Sequence, residues 1–232
     1  MRTTAVVLLT LVTIPAGRAA AQLHEPTSAE HRVLDPAIAA ITRLLDQFGD
    51  DDWQKSNDLF GGDVLVSNDP DVPLDIDQNF ERTYSVRQGS HRWQTVMEPL
   101  VRQLQQLTQG GDYAAQRRVG GKIRSLSGVT VDVYINRADF GVDTTVPGLT
   151  HVTVKGASLA LRSPPDSGFE TQGPTYAIGF GAWRGDGPFH FVHGPRTPWI
   201  ENIVVIVKGA DDRIQELLTR IDWAALNGVL TR

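Results

Sequence analysis

The 232-residue sequence predicts an α+β protein, with N-terminal helices packed on a mainly antiparallel sheet that a C-terminal βα unit closes. Three observations predict it. Apolar residues recur at helical spacing through Leu126, and at Gly128 the pattern changes to alternation. Near the C-terminus, Ile203, Val204, Val205, Ile206 and Val207 form an unbroken β-branched run. Such a run is apolar on both faces, so it belongs in the middle of a sheet with neighbours along both edges.

Taken in order, Arg2, the apolar stretch Ala5 to Ile14 and the small residues Ala19, Ala20 and Ala21 form the pattern of a secretory signal peptide. The apolar stretch falls short of the roughly 20 residues a membrane span needs. The organisation expected is therefore a signal peptide over 1–21 and a single α+β domain over 22–232. Within that domain a helical layer occupies about 35–126, and the sheet with its C-terminal helix about 128–228.

Asp35 and Pro36 read as an N-cap and first helical residue, with Leu34, Ile38, Ile41, Leu44, Leu45 and Phe48 on one stripe and Gly49 at the end. From Asp50 to Gly89 the sequence is rich in Gly, Pro, Asn and Asp, and only 64–66 and 84–86 look like strand. A second helical stripe contains Trp93, Val96, Met97, Leu100, Val101, Leu104 and Leu107, with Ser90 as cap. Pro99 lies inside it and marks a kink or junction near Thr95. Gly110 and Gly111 close that helix, and Asp112 caps another bearing Ala115, Val119, Ile123 and Leu126.

Val129, Val131, Val133 and Ile135 then alternate with Thr130, Asp132, Tyr134 and Asn136, as in a half-buried strand. Between Leu149 and Leu161 the alternation slips at Gly156 and Ala157, which implies a bulge or tight turn. Residues 175–183 alternate again, and Arg184-Gly185-Asp186-Gly187 is turn chemistry leading to a hairpin partner at 189–193. After the central run, Asp211 caps a helix with Ile214, Leu217 and Leu218 on one face, and Asp222 caps a last short turn carrying Trp223 and Leu226.

Composition excludes several chemistries. The chain has no cysteine, so disulfides, thiolate metal sites and cysteine nucleophiles are absent, and export points to a secreted or periplasmic protein held together by its core. The net charge is −5; without Arg2 and Arg18 it is −7, from 20 basic and 27 acidic residues. That balance argues against general nucleic-acid binding, and no segment predicts a membrane span. No Gly-x-Ser-x-Gly elbow, phosphate-binding loop, His-Glu-x-x-His pair or dinucleotide fingerprint occurs.

Four clusters hold chemistry-bearing residues. Asp186, His190 and His193 lie with Arg184 and Arg196 around the last hairpin, where imidazoles can serve as acid–base groups. Residues three apart on a strand face opposite ways, so the two histidines converge only if the strand ends between them. Gly179 and Gly181 leave one strand face bare, a place for a ligand walled by Trp183, Phe189 and Phe191 or for a closely packed helix. Asp69, Asp71, Asp75, Asp77, Asn79 and Glu81 gather oxygen ligands, but Phe80 and Val86 stand where a calcium loop needs Gly and Glu, so no metal is expected. Arg117, Arg118, Lys122 and Arg124 are a basic concentration on a helix, suited to an anionic ligand or partner and equally to a solvated face.

The function expected is that of an exported noncatalytic domain binding a small ligand or a partner protein, through the sheet face and the segment 50–89, without a cofactor. The alternatives are a hydrolase-like enzyme using His190 or His193 with Asp186, and an envelope-associated assembly module acting through Trp53 and Trp199.

Overall fold

The computed structural model describes residues 23–58, 64–67, 80–137, 148–164, 173–181 and 199–231. The expected signal peptide, the acidic segment around Asp69–Asp77 and the hairpin expected around 184–193 lie outside them.

Strand β1 (Leu23–His24) leads into helix α1 (Ser28–Leu45), which continues as a short 3₁₀ turn to Phe48 before Gly49. The helix begins earlier than the Asp35-Pro36 signal implies. Thr27 and Glu30 form a reciprocal capping box, with the Thr27 N–H donating to Glu30 Oε2 at 2.6 Å and the Glu30 N–H to Thr27 Oγ1 at 3.4 Å. That pair satisfies the Thr27 and Glu30 amides, so the helix starts after Thr27 and carries Pro36 inside it.

The segment 50–89 contributes strands rather than loop alone. These are β2 (Trp53–Asp58), β3 (Val66–Ser67) and β4 (Phe80–Val86). β3 pairs with β1 in a small ribbon, while β2 and β4 join the main sheet. Two sheet strands therefore fall inside the stretch read as a helical layer. The stripe after Ser90 divides at the expected place: a π-helical turn over Trp93–Met97 precedes α2 (Glu98–Gly110), with Pro99 in its first turn. Pro99 lacks an amide hydrogen, and the wide turn gives the chain an entry that does not require one there. Gly111, at φ +74°, turns the chain into α3 (Tyr113–Ser127), whose start is capped by Asp112 on the Ala115 N–H at 3.0 Å.

The sheet is completed by β5 (Gly128–Ile135), β6 (Thr150–His151), β7 (Leu159–Arg162), β8 (Thr175–Gly181) and β9 (Asn202–Gly209). Its seven strands run β2-β4-β5-β9-β8-β7-β6, every pair antiparallel. After β5 the chain moves to the opposite edge and returns inward, so the last strand enters between β5 and β8. β9 is the apolar run, buried on both faces with both edges paired. The slip expected at Gly156 is a tight turn between β6 and β7, closed by the Ala157 N–H on the Val154 carbonyl at 3.1 Å. The neighbours of β8 are β7 and β9.

The sheet's two faces differ. On the first, Tyr84, Val131, Val133, Val205, Val207, Ile178 and Phe180 lie in register and pack under α1, under α4 (Asp211–Arg220) and under a C-terminal 3₁₀ turn (Trp223–Gly228). Leu34, Ile41 and Leu45 of α1, Ile214 and Leu217 of α4, and Trp223 are all buried there. On the second face Ala177, Val204 and Ile206 form a smaller apolar patch with Tyr134 and Leu159.

Where β5, β8 and β9 meet α4, the backbones approach so closely that side chains are excluded. A Cβ at Gly209, whose φ is +125°, would lie 2.1 Å from the Gly128 carbonyl oxygen. Gly209→Ala is expected to lose more than about 3 kcal/mol of stability in urea unfolding. Gly110→Ala, with no heavy atom within 4 Å of the added carbon, is expected to be neutral or to gain up to about 1 kcal/mol.

Candidate functional site

The bare strand face expected at Gly179 and Gly181 is present in β8. Ala177 and Gly179 run between Val204 and Ile206 of β9 on one side and Leu159 and Leu161 of β7 on the other. Gly181 has its own backbone reason: φ is +111°, and a Cβ would lie 2.1 Å from the Glu201 carbonyl oxygen. Trp183, Phe189 and Phe191, the expected walls, lie outside the described residues, as do Asp186, His190 and His193. Among the described residues no group of three or more His, Asp or Glu side chains is placed to hold a metal ion. Of the envelope-module candidates, Trp53 is buried and Trp199 is exposed.

Sequence reasoning missed a polar girdle around the start of α4. Asp211 was expected to cap this helix, but the N-cap is Ala210 and no side chain caps it. Asp211 instead accepts a hydrogen bond from the Tyr176 hydroxyl at 2.6 Å and one from Arg162 Nη2 at 3.1 Å. Arg162 Nε also donates to the Tyr176 oxygen at 2.9 Å, and the Gln215 amide donates to the same atom. Burial, reinforced by the hydrogen bond and charge of Asp211, pushes the Tyr176 phenol up to about 12. The hydrogen bond to Asp211 also holds the Arg162 guanidinium above its ordinary value.

Two further arginines complete the girdle. Arg92, at the start of the π turn, forks onto Asp212 at 2.6 and 3.0 Å and lies over the Trp53 ring at 4.9 Å. Burial raises the Asp212 pKa, but the Arg92 hydrogen bonds and charge outweigh it and the net shift is downward. The Arg92 backbone N–H, donating to Asp52 at 2.9 Å, likewise holds that carboxyl below its ordinary value. Arg213 is 3% exposed and contacts Asp50 at 2.6 Å, Glu216 at 2.7 Å and the Phe48 carbonyl at 2.8 Å. The girdle binds α4 to β7, β8, the π turn and the chain after α1. Apart from the Arg92 and Arg213 Nε atoms, which are buried without a partner among the described residues, its charged groups are turned on one another, which makes it a clasp rather than an open reaction site.

The hairpin α2–α3 differs from the rest of the fold. Its root packs on the core through Trp93, Val96, Ile123 and Leu126. Farther out, Leu104, Leu107 and Val119 are only half-buried, and Gly121 is the single buried residue in the two helices. Arg117, Arg118, Lys122 and Arg124 are exposed along α3, and Tyr113 at the tip is 78% exposed. Residues 98–127 hold five basic and two acidic side chains, whereas the rest of the chain holds 17 basic and 25 acidic. The basic concentration noted in the sequence is thus a surface of one sign on a protein of the other. Compared with protein-family models, curated protein sequences and solved structures, the chain matches none.

Tyr176→Phe keeps the buried ring and removes the hub of the clasp, at an expected cost of about 1–3 kcal/mol near neutral pH. Because the folded pKa of about 12 exceeds the ordinary 10.0, the phenol's share of stability is complete below pH 10 and fades as pH rises through 12. Urea midpoints of the two proteins should therefore converge over that interval, and a phenolate absorbance step near 12 should vanish in the variant.

Proposed function

We propose that this protein is an exported, noncatalytic binding domain that takes an acidic partner protein on the outer surface of α2–α3. One observation carries the reading: a hairpin with a net positive charge stands on a chain whose remainder is strongly negative. Such segregation steers and orients an acidic surface toward one place. The half-buried leucines beside the basic row supply the apolar contact that charge alone lacks. Export is supported by Arg2, the short apolar stretch and the small residues before Gln22. No helix among the described residues is long and apolar enough to cross a membrane. The enzyme reading rests on Asp186, His190 and His193, for which no geometry is described.

The test uses the mature protein purified from an exporting host and a variant carrying Arg118→Glu, Lys122→Glu and Arg124→Glu. All three side chains are exposed, so each reversal is expected to change stability by no more than about 0.5 kcal/mol. Native mass spectrometry should show an acidic protein retained by the unaltered chain and released by the variant. The association should also weaken about tenfold or more when salt is raised severalfold. Equal retention by both proteins, or binding indifferent to salt, overturns the reading.

A further inference from the structure

A second surface, independent of the hairpin, lies where α1 meets the C-terminal 3₁₀ turn. A half-open cleft of about 360 Å³ separates them. Its floor is Leu44 and Leu226, 3% and 1% exposed, which reach up from the main core. Its walls are Ala40 of α1 and Ala225 of the turn, and the hollow exists because two alanines face each other where larger side chains would interdigitate. The volume falls in the range of small-molecule sites, which run from about 300 Å³ upward.

The rims carry opposite charges. On the α1 side Arg43 is exposed and makes no ion pair or side-chain hydrogen bond with the described residues. On the other side Asp222 shares one oxygen with Lys155 at 3.6 Å, and both are largely exposed, so water screens the pair. Arg43 and Asp222 form no salt bridge with each other, although both line the cleft. An apolar floor between a guanidinium and a carboxylate complements a molecule with the reverse order: a carboxylate, an aliphatic group and an ammonium.

We infer that this cleft binds a short linear ω-amino acid, with its carboxylate on Arg43, its ammonium on Asp222 and its methylene chain over Leu44 and Leu226. Gln47, in the same lining, donates its side-chain amide to the Arg43 carbonyl at 3.5 Å. The site is open to water on one side, so its affinity falls in the millimolar range, about −4 kcal/mol.

The experiment titrates the full mature protein with 6-aminohexanoate, hexanoate and pentylamine, following the Ala40 and Ala225 amide resonances by NMR. The ω-amino acid 6-aminohexanoate is expected to shift them at about 10 mM, and loss of either charged group should weaken binding about tenfold. Arg43→Gln should weaken 6-aminohexanoate and hexanoate but leave pentylamine unchanged; Asp222→Asn should weaken 6-aminohexanoate and pentylamine but leave hexanoate unchanged. Both residues are exposed, so the variants keep the fold, which thermal unfolding verifies. Ala225→Leu, a change at another exposed position, should fill the hollow and abolish all three responses. The proposal is overturned if 6-aminohexanoate leaves these resonances unmoved, shifts a different region, or binds both charge variants as it binds the unaltered protein. The hairpin reading survives each of those outcomes, since no residue is shared.

Discussion

The fold depends on enclosing one strand. β9 is apolar on both faces, and its backbone groups find partners only on β5 and β8. A buried amide or carbonyl left unpaired costs as much as a lost hydrogen bond, so both neighbours must be in place before β9 is stable. One neighbour belongs to the β2-β4-β5 half of the sheet and the other to the β8-β7-β6 half. The central strand therefore joins two halves that have no other continuous sheet contact. Its partners are distant in sequence, which places sheet closure late and makes it the cooperative step.

Around that strand, apolar burial and charge have separate tasks. The first face is sealed by α1, α4 and the C-terminal turn, and Phe48 stacks with Tyr84 and meets Trp223 edge-on beneath them. Apolar packing holds α4 against the sheet but does little to set its rotation and height. The arginine clasp does that, because each fork must meet its carboxylate in one geometry. Buried Arg213 is the costliest member, and three oxygens with the Trp53 ring offset the loss of its water. The same arrangement consumes the most perturbed ionisable groups in structural work.

What remains for recognition are surfaces the core does not need. The α2–α3 hairpin adds only its root to the core and carries its charge outward. The α1 cleft borrows its floor from the core and its rims from exposed side chains. The two lie on different elements and share no residue.

Much of this architecture was legible in sequence because periodicity is a local property of a chain. The β9 run, the alternation of β5, the stripes of α1 to α3, the junction before Pro99 and the turn at Gly156 each follow from residues within a few positions of one another. The starts of α1 and α4 were misread for a related reason. At both, the apparent cap was one acceptor among several, and a capping box or a tyrosine on another strand competed for the role. Strands β2 and β4 were obscured by Asn, Asp and Arg, residues whose place in the sheet is decided by the neighbouring strand.

By itself, then, the sequence determined the class of the fold, the buried strand and the basic helix, since each is written in spacing along one segment. Only the tertiary structure decided that β9 enters between β5 and β8, that Arg92 meets Asp212 across 120 positions, and that Ala40 faces Ala225 across a hollow. Those pairings depend on how the chain returns upon itself, and spacing within a segment holds no information about which distant segment will arrive beside it.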